Sequence, residues 1–312
     1  MSANPAGGFI LNVSTSTPNH SVTNCSAIIS RDTLAIYASV SICSILSNIL
    51  VIVVICYMIK QKQIPLKNVF LVLAFSDLCV GFMYALHAII EWNLARCSRS
   101  KTLNMAIFGA HSISVYSNQG LTLYVTLMRA FATSTSKVLT YQQKNWRRIL
   151  VELAIFVNFG CIPLYVEWAA IAAEPGSPDY EAFPVTSLVY FVALVVTMAV
   201  MAFYIIIKLH YYRSSVARSS TTTKDDFQIM VVVVALVFCA CHALSIARFS
   251  LYLQNNPDHV RVIPWIDYAT LVNSSVNPLI YFTVSRSFRR SLVGLGKLLV
   301  SKLRQEYATE VS

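Results

Sequence analysis

The sequence predicts an all-α membrane protein: a seven-transmembrane helix bundle that ends in an amphipathic helix on the membrane surface. Three observations predict it. Hydrophobic residues make up 56% of the 312, and charged residues only 12%, about half the charged share of a soluble domain. The charges bunch between long apolar runs, each close to the roughly 20 residues a helix needs to cross a bilayer. Basic residues gather in alternate links between the runs, the asymmetry that orients a membrane protein.

The first run, 33–59, lies in a stretch with no charge between Asp32 and Lys60. The second, 68–92, tolerates Asp77, and the third, 104–132, is uncharged until Arg129. The fourth, 149–172, carries Glu152 and Glu167. The fifth, 185–208, fills the charge gap from Glu181 to Lys208, the sixth, 227–254, is uncharged from Asp226 until Arg248, and the seventh, 263–284, tolerates Asp267. The runs are too long and too uniformly apolar for the ~10-residue alternating strands of a barrel, and a helix satisfies its own backbone in lipid. Seven such runs in series argue against buried core helices of a soluble protein. Pro65, Pro175, Pro178, Pro184 and Pro257 read as loop punctuation. Beyond the seventh run, 286–299 alternates Arg286, Arg289, Arg290 and Lys297 with Phe288, Leu292, Leu295 and Leu298 at helical spacing, the pattern of a helix lying on a membrane face.

Orientation follows from the links. Arg31, Arg96, Arg99, Lys101 and Arg261 lie on one side, while Lys60, Lys62, Lys67, Arg129, Lys137, Lys144, Arg147, Arg148, Lys208, Arg213, Arg218, Lys224 and the basic C-terminal helix lie on the other. The richer side is cytoplasmic, so the net charge of +10 is a topology signal that also suits anionic lipid and does not call for nucleic acid. The N-terminal tail agrees, with sequons at Asn12, Asn19 and Asn24, sites glycosylated only outside the cytoplasm. Three domains follow: a glycosylated extracellular tail (1–31), the seven-helix unit (32–285), and the surface helix with a short cytoplasmic tail (286–312). No basic start followed by an apolar run precedes residue 30, so the first run is expected to act as the targeting signal. The Ser/Thr-rich inner segment 213–224 is either a plain polar loop or a phosphorylation site. Six of the eight cysteines fall within runs and read as small buried hydrophobes. Only Cys25 and Cys97 face the oxidising side, which makes them the candidate disulfide, although sequence sets no distance between them.

Polar groups within spans are costly and default to functional candidates. Asp77 stands mid-run, with Asn48, Asn118, Asn273, Ser274 and Asn277 at similar depth. Asn273 and Asn277 share a helix face, and Pro278 frees a backbone carbonyl and permits a kink. The set is either a small-cation site around Asp77 or interhelical hydrogen-bond glue. Further out lie His87, Glu91, His111, Glu167, Arg248 and Asp267. His111, Val115, Asn118, Thr122 and Arg129 share one face of the third run, with His111 about 27 Å from Arg129. Asp267 and Glu91 suit a basic ligand and Arg248 an acidic one; the bland alternative is pairing among themselves.

Asn48, Leu73-Ala74-x-x-Asp77, and Asn277-Pro278-Leu279-Ile280-Tyr281 followed by Phe288 resemble the rhodopsin-like (class A) G protein-coupled receptors, from the first run to the surface helix. The resemblance implies a plasma-membrane receptor that binds an extracellular ligand and activates a heterotrimeric G protein, with a sodium ion at Asp77 as a further use of that site. It makes Arg129 the switch arginine, which exchanges partners as the helices repack, assisted by Tyr204 and Tyr281. Phe238, His242 and Pro278 become transmitters of the shift. The departures are equally plain. The triplet is Met128-Arg129-Ala130, without an acid before the arginine, and Lys224 stands where an acid is usual. The Cys-Trp-x-Pro position reads Cys241-His242-Ala243-Leu244, and the fifth run lacks its usual proline. Asn104 occupies the usual cysteine position, and the second outer loop (173–184) has no Cys. A weakened lock implies raised basal activity. His111 stands where amine receptors carry Asp, which disfavours a monoamine, and no lysine in the seventh run allows a retinal Schiff base.

The competing classes are weaker. A transporter or channel wants broken helices in paired positions or a ring of like charges. A membrane enzyme wants a motif such as His-Glu-x-x-His. Neither pattern is present. A receptor-like protein that does not couple is kept open by the Met-Arg-Ala triplet.

Overall fold

The computed structural model describes residues 31–60, 67–93, 101–134, 146–172, 178–215 and 222–311. Among them the chain is entirely helical: α1 (Arg31–Lys60), α2 (Lys67–Asn93), α3 (Lys101–Ser134), α4 (Trp146–Gly160), α5 (Ile162–Ala172), α6 (Pro178–Ser215), α7 (Thr222–Leu253), α8 (His259–Val284) and α9 (Arg286–Val311). A helix occupies every one of the seven predicted places. Four of them, α1, α2, α6 and α7, are long and apolar enough to cross a membrane, and α4 with α5 makes a fifth if that bent pair is one span. This architecture is consistent with a multi-pass all-α membrane protein.

The reason α3 falls short in apolar content lies in its position. Residues 118–126 are buried without interruption, and α3 packs against α2, α4, α5, α6 and α7. It can therefore carry Asn118, Gln119, Thr122 and Thr126 inward. Around it the helices close a ring, α1 meeting α2 on one side and α8 on the other, with α8 against α7 and α7 against α6. The outer faces are apolar: Leu46 is 63% exposed, Val189 62%, Phe203 63% and Leu279 60%. Water tolerates no such continuous apolar surface, and hydrocarbon does. Buried serines and asparagines inside with exposed leucines outside complete an inverted polarity.

Backbone details depart from expectation in four places. Pro184 does not punctuate a loop but lies inside α6, which begins at Pro178, so much of the expected second outer loop is helix. The predicted fourth span is broken at Cys161, and its halves meet at 41°. Pro163 lacks the N–H that would continue the ladder there. The surface helix runs to Val311 rather than ending near 299, because 300–311 contain no helix breaker. Among the six cysteines expected to be buried, only Cys161 is; Cys43 and Cys56 are exposed on the outer face of α1, where a thiol is tolerated by lipid as readily as by a core.

Close helix crossings use glycine. A Cβ on Gly160 would fall 2.1 Å from the Tyr116 carbonyl oxygen, and one on Gly120 would meet the Phe156 carbonyl at 1.9 Å. The α3–α4 crossing is therefore backbone against backbone, the close approach that small residues permit. Nearby, Tyr124 donates to Glu152 at 3.1 Å, which gives that acid of the fourth run a local partner. Ser285 separates α8 from α9 in an extended conformation (φ −90°, ψ 111°), and its Oγ accepts the Phe288 N–H at 3.4 Å, the pattern of an N-cap. Phe288 is fully buried against Tyr281 and Phe282, which docks the start of α9 onto the bundle.

Candidate functional site

The polar residues at mid-depth converge on Asp77. Its carboxylate is fully buried and accepts two amide N–H groups, from Asn118 on α3 (Nδ2 to Oδ1, 2.9 Å) and Asn277 on α8 (Nδ2 to Oδ2, 2.9 Å). Asn118 also donates to Ser274 Oγ at 3.2 Å. On α1, Asn48 donates to the Ser274 carbonyl at 3.2 Å and to the Ser44 carbonyl at 3.0 Å. The Ser274 carbonyl is the one that Pro278, four residues on, cannot satisfy, so the carbonyl freed by the proline is taken by Asn48. Four helices thus meet through one polar knot. Asn273 is buried one turn from Asn277 but makes no hydrogen bond to this group. Small residues make room for the knot, with Gly81 on α2 facing Ser44 on α1 at a distance where a Cβ would press on Ser44 Oγ at 3.1 Å.

Asn48, Asn118 and Asn277 spend amide donors in the knot while acceptors are left over. Asn48, Asn118, Asn273 and Asn277 each keep a buried Oδ1 without a protein partner. A buried carboxylate whose amide partners keep unpartnered oxygens offers the kind of donor a hard cation prefers.

Toward the N-terminal half of α3, a cavity of about 80 Å³ opens between α2, α3, α5, α6, α7 and α8. His111, Arg248 and Asp267 line it, as do Glu167, Tyr84, Tyr116, Gln119, Phe191 and Phe249. Tyr84 OH lies 3.5 Å from Asp267 Oδ1 and its ring meets His111 edge-on at 4.3 Å. Tyr37 meets Tyr84 edge-on at 6.1 Å and donates to the Pro264 carbonyl at 3.0 Å. Arg248 lies within electrostatic range of Glu167 and Asp267, yet it rests over the Phe249 ring at 5.2 Å and among the described residues reaches ion-pair distance with neither acid. His87 is buried beside His111, ring centroids 6.3 Å apart, and sits behind the cavity wall rather than on it. Sequence marks Glu167 as a polar residue of the fourth run, but nothing in linear spacing aims it at Asp267. Gln119 has no signal in the sequence beyond its place next to Asn118.

Along α7 from the cavity-lining Ser245, Phe238 is fully buried and meets His242 at 4.0 Å. Phe191 approaches the other side of His242 at 6.1 Å. Both ring nitrogens of His242 are buried without a protein partner. At the far end Tyr281 is fully buried between Phe70 (5.9 Å) and Phe288 (5.5 Å), its hydroxyl without a protein partner. Tyr204 is half-buried on α6 with Lys208 5.9 Å from its ring. Glu91 and Arg129 belong to α2 and α3, but their side chains lie outside the described residues. Asn12, Asn19, Asn24, Cys25 and Cys97 lie outside them entirely. No group of three or more potential metal-ligating side chains occurs among the described residues. No protein-family model matches the chain, and a search of curated proteins finds no similar one.

Proposed function

We propose that the chain is a seven-span plasma-membrane receptor, with its N-terminus outside, that binds a ligand in the cavity and activates a heterotrimeric G protein at the opposite end. The observation that carries this reading is the knot at Asp77. It joins α1, α2, α3 and α8 midway between a lined cavity and the inner ends of the helices. A buried polar network of this kind has discrete arrangements rather than continuous ones, which makes it a two-state element that a ligand on one side can bias. In this reading the cavity senses, and Phe238 and His242 pass the change along α7. The knot re-pairs, and α3, α6 and α8 then move Arg129, Tyr204 and Tyr281 toward the effector. The unpartnered Tyr281 hydroxyl and the spare amide oxygens are groups that gain partners in the alternate state. When a sodium ion is bound, Asp77, Asn118 and Ser274 would hold it, and its charge would favour the arrangement in which Asp77 faces those residues.

The test is basal G-protein activation in cells at matched surface expression. Signal above mock is expected, lowered about fivefold or more by Arg129→Ala and altered by Asp77→Asn. Robust surface expression with no signal from the unmodified chain, under any ligand tried, would favour the non-coupling alternative.

A further inference from the structure

The cavity is charged unevenly. Its ionic side chains are Glu167 from α5, Arg248 from α7 and Asp267 from α8, two acids against one base, a formal charge of −1 with histidine neutral. Arg248 does not close onto either acid among the described residues. Glu167 is only 6% exposed and makes no hydrogen bond there. Gln119, 4% exposed and lining the same cavity, has an amide oxygen with no partner. A buried wall rich in acceptors, with two carboxyl groups set against one cation, is costly once both are ionised. A group with donors and one positive charge relieves both costs at once.

We infer that this cavity binds a small organic cation, a compact ammonium or guanidinium, held by Glu167 and Asp267 with the Gln119 amide oxygen accepting an N–H. An anion would gain Arg248 but meet two carboxylates, and a zwitterion would leave the surplus charge in place. The 80 Å³ is small beside the roughly 300–1,000 Å³ of ordinary ligand pockets, so the buried part of the ligand is a few heavy atoms. His111 stands in a place that by resemblance argued against an amine; the two acids are supplied instead by α5 and α8. The inference names the ligand class of the receptor site proposed above and rests on that reading.

The experiment is thermal unfolding of the purified full chain in detergent, with n-butylammonium chloride, sodium butanoate or 4-aminobutanoate at about 10 mM and matched ionic strength. If butylammonium binds with a Kd of about 1 mM, it raises the midpoint by about 3 °C, and the other two raise it less. Asp267→Asn and Glu167→Gln each abolish the shift, and Arg248→Gln enlarges it by removing the one competing cation. Asp77→Asn changes the size of the shift at most, since that acid reaches the cavity only through the coupling of the knot. A larger shift from butanoate or 4-aminobutanoate, lost in Arg248→Gln, overturns the inference. So does a shift that disappears in Asp77→Asn but survives in both Asp267→Asn and Glu167→Gln, or no butylammonium shift in a chain that melts cooperatively. Binding is read without a G protein: cation binding with no signalling from the unmodified chain or any variant tells against the receptor reading alone, and signalling with no cation binding tells against this inference alone.

Discussion

At the level of single residues, one atom decides between tolerance and failure. Gly160 and Gly296 are both glycines in helices, and elementary propensity says that alanine at either position should gain about 0.5–1 kcal/mol. Their surroundings reverse that for one of them. A Cβ at 296 meets nothing within 4 Å, while at 160 it lands 2.1 Å from a backbone oxygen and 2.9 Å from the Gly120 nitrogen. Backbone atoms cannot step aside as a side-chain end can. Gly160→Ala is expected to destabilise by about 2 kcal/mol or more by forcing α3 and α4 apart, and Gly296→Ala to be neutral or mildly stabilising. Melting curves of the two variants in detergent check this; equal midpoints would remove the case for a glycine-dependent crossing. Asp77 is decided by single atoms in the same way, since each carboxylate oxygen holds one amide donor from a different helix.

Between helices, the informative feature is the exchange of a hydrogen bond from within α8 to another helix. Pro278 denies its helix one bond, and Asn48 of α1 restores a partner to the same Ser274 carbonyl. If that is why Asn48 matters, the two positions are coupled. Pro278→Ala returns an N–H to Ser274, so Asn48→Ala should cost less in that background than in the unmodified chain, by about 0.5–1.5 kcal/mol. A double-mutant cycle on detergent-solubilised protein measures the difference, and additive costs would sink the explanation. The broken fourth element shows a related economy: at the α4–α5 junction Tyr190 of α6 donates to the Gly160 carbonyl at 3.3 Å, so a polar atom at the bend is covered by a neighbour, as a low-dielectric environment requires.

For the molecule as a whole, orientation is the property that sequence addresses and packing does not. The alternation of basic links and the three N-terminal sequons predict an outer tail. Treating the expressed chain with a glycosidase should therefore increase its gel mobility, and replacing Asn12, Asn19 and Asn24 with Gln should abolish that change. A chain carrying no glycan while reaching the cell surface would argue against the assigned orientation. Much of the architecture is legible in this way. The seven apolar runs coincide with helices because a run of that length can only satisfy its backbone in lipid by hydrogen-bonding to itself. The surface helix is legible at its start but not in its length, because the basic–apolar alternation fades after 299 while helix propensity does not. Pro184 defeats the loop reading because the helix starts six residues ahead of it, at Pro178 in a first-turn place where a missing donor costs little, and Pro184 then costs α6 only the bond to the Tyr180 carbonyl.

The sequence by itself determined where the helices lie, which of their residues are too polar for lipid, and that Pro278 would leave a carbonyl to be satisfied, since each of these follows from local chemistry and from the length a bilayer demands. Only the tertiary structure decided that Asn48 takes that carbonyl, that Asn118 and Asn277 divide the two oxygens of Asp77, and that Glu167, Arg248 and Asp267 share one cavity without pairing. Those are choices among partners distant in the chain, set by how α3 sits at the centre of the ring, and hydropathy and spacing along one helix carry no information about which face of another helix will be opposite.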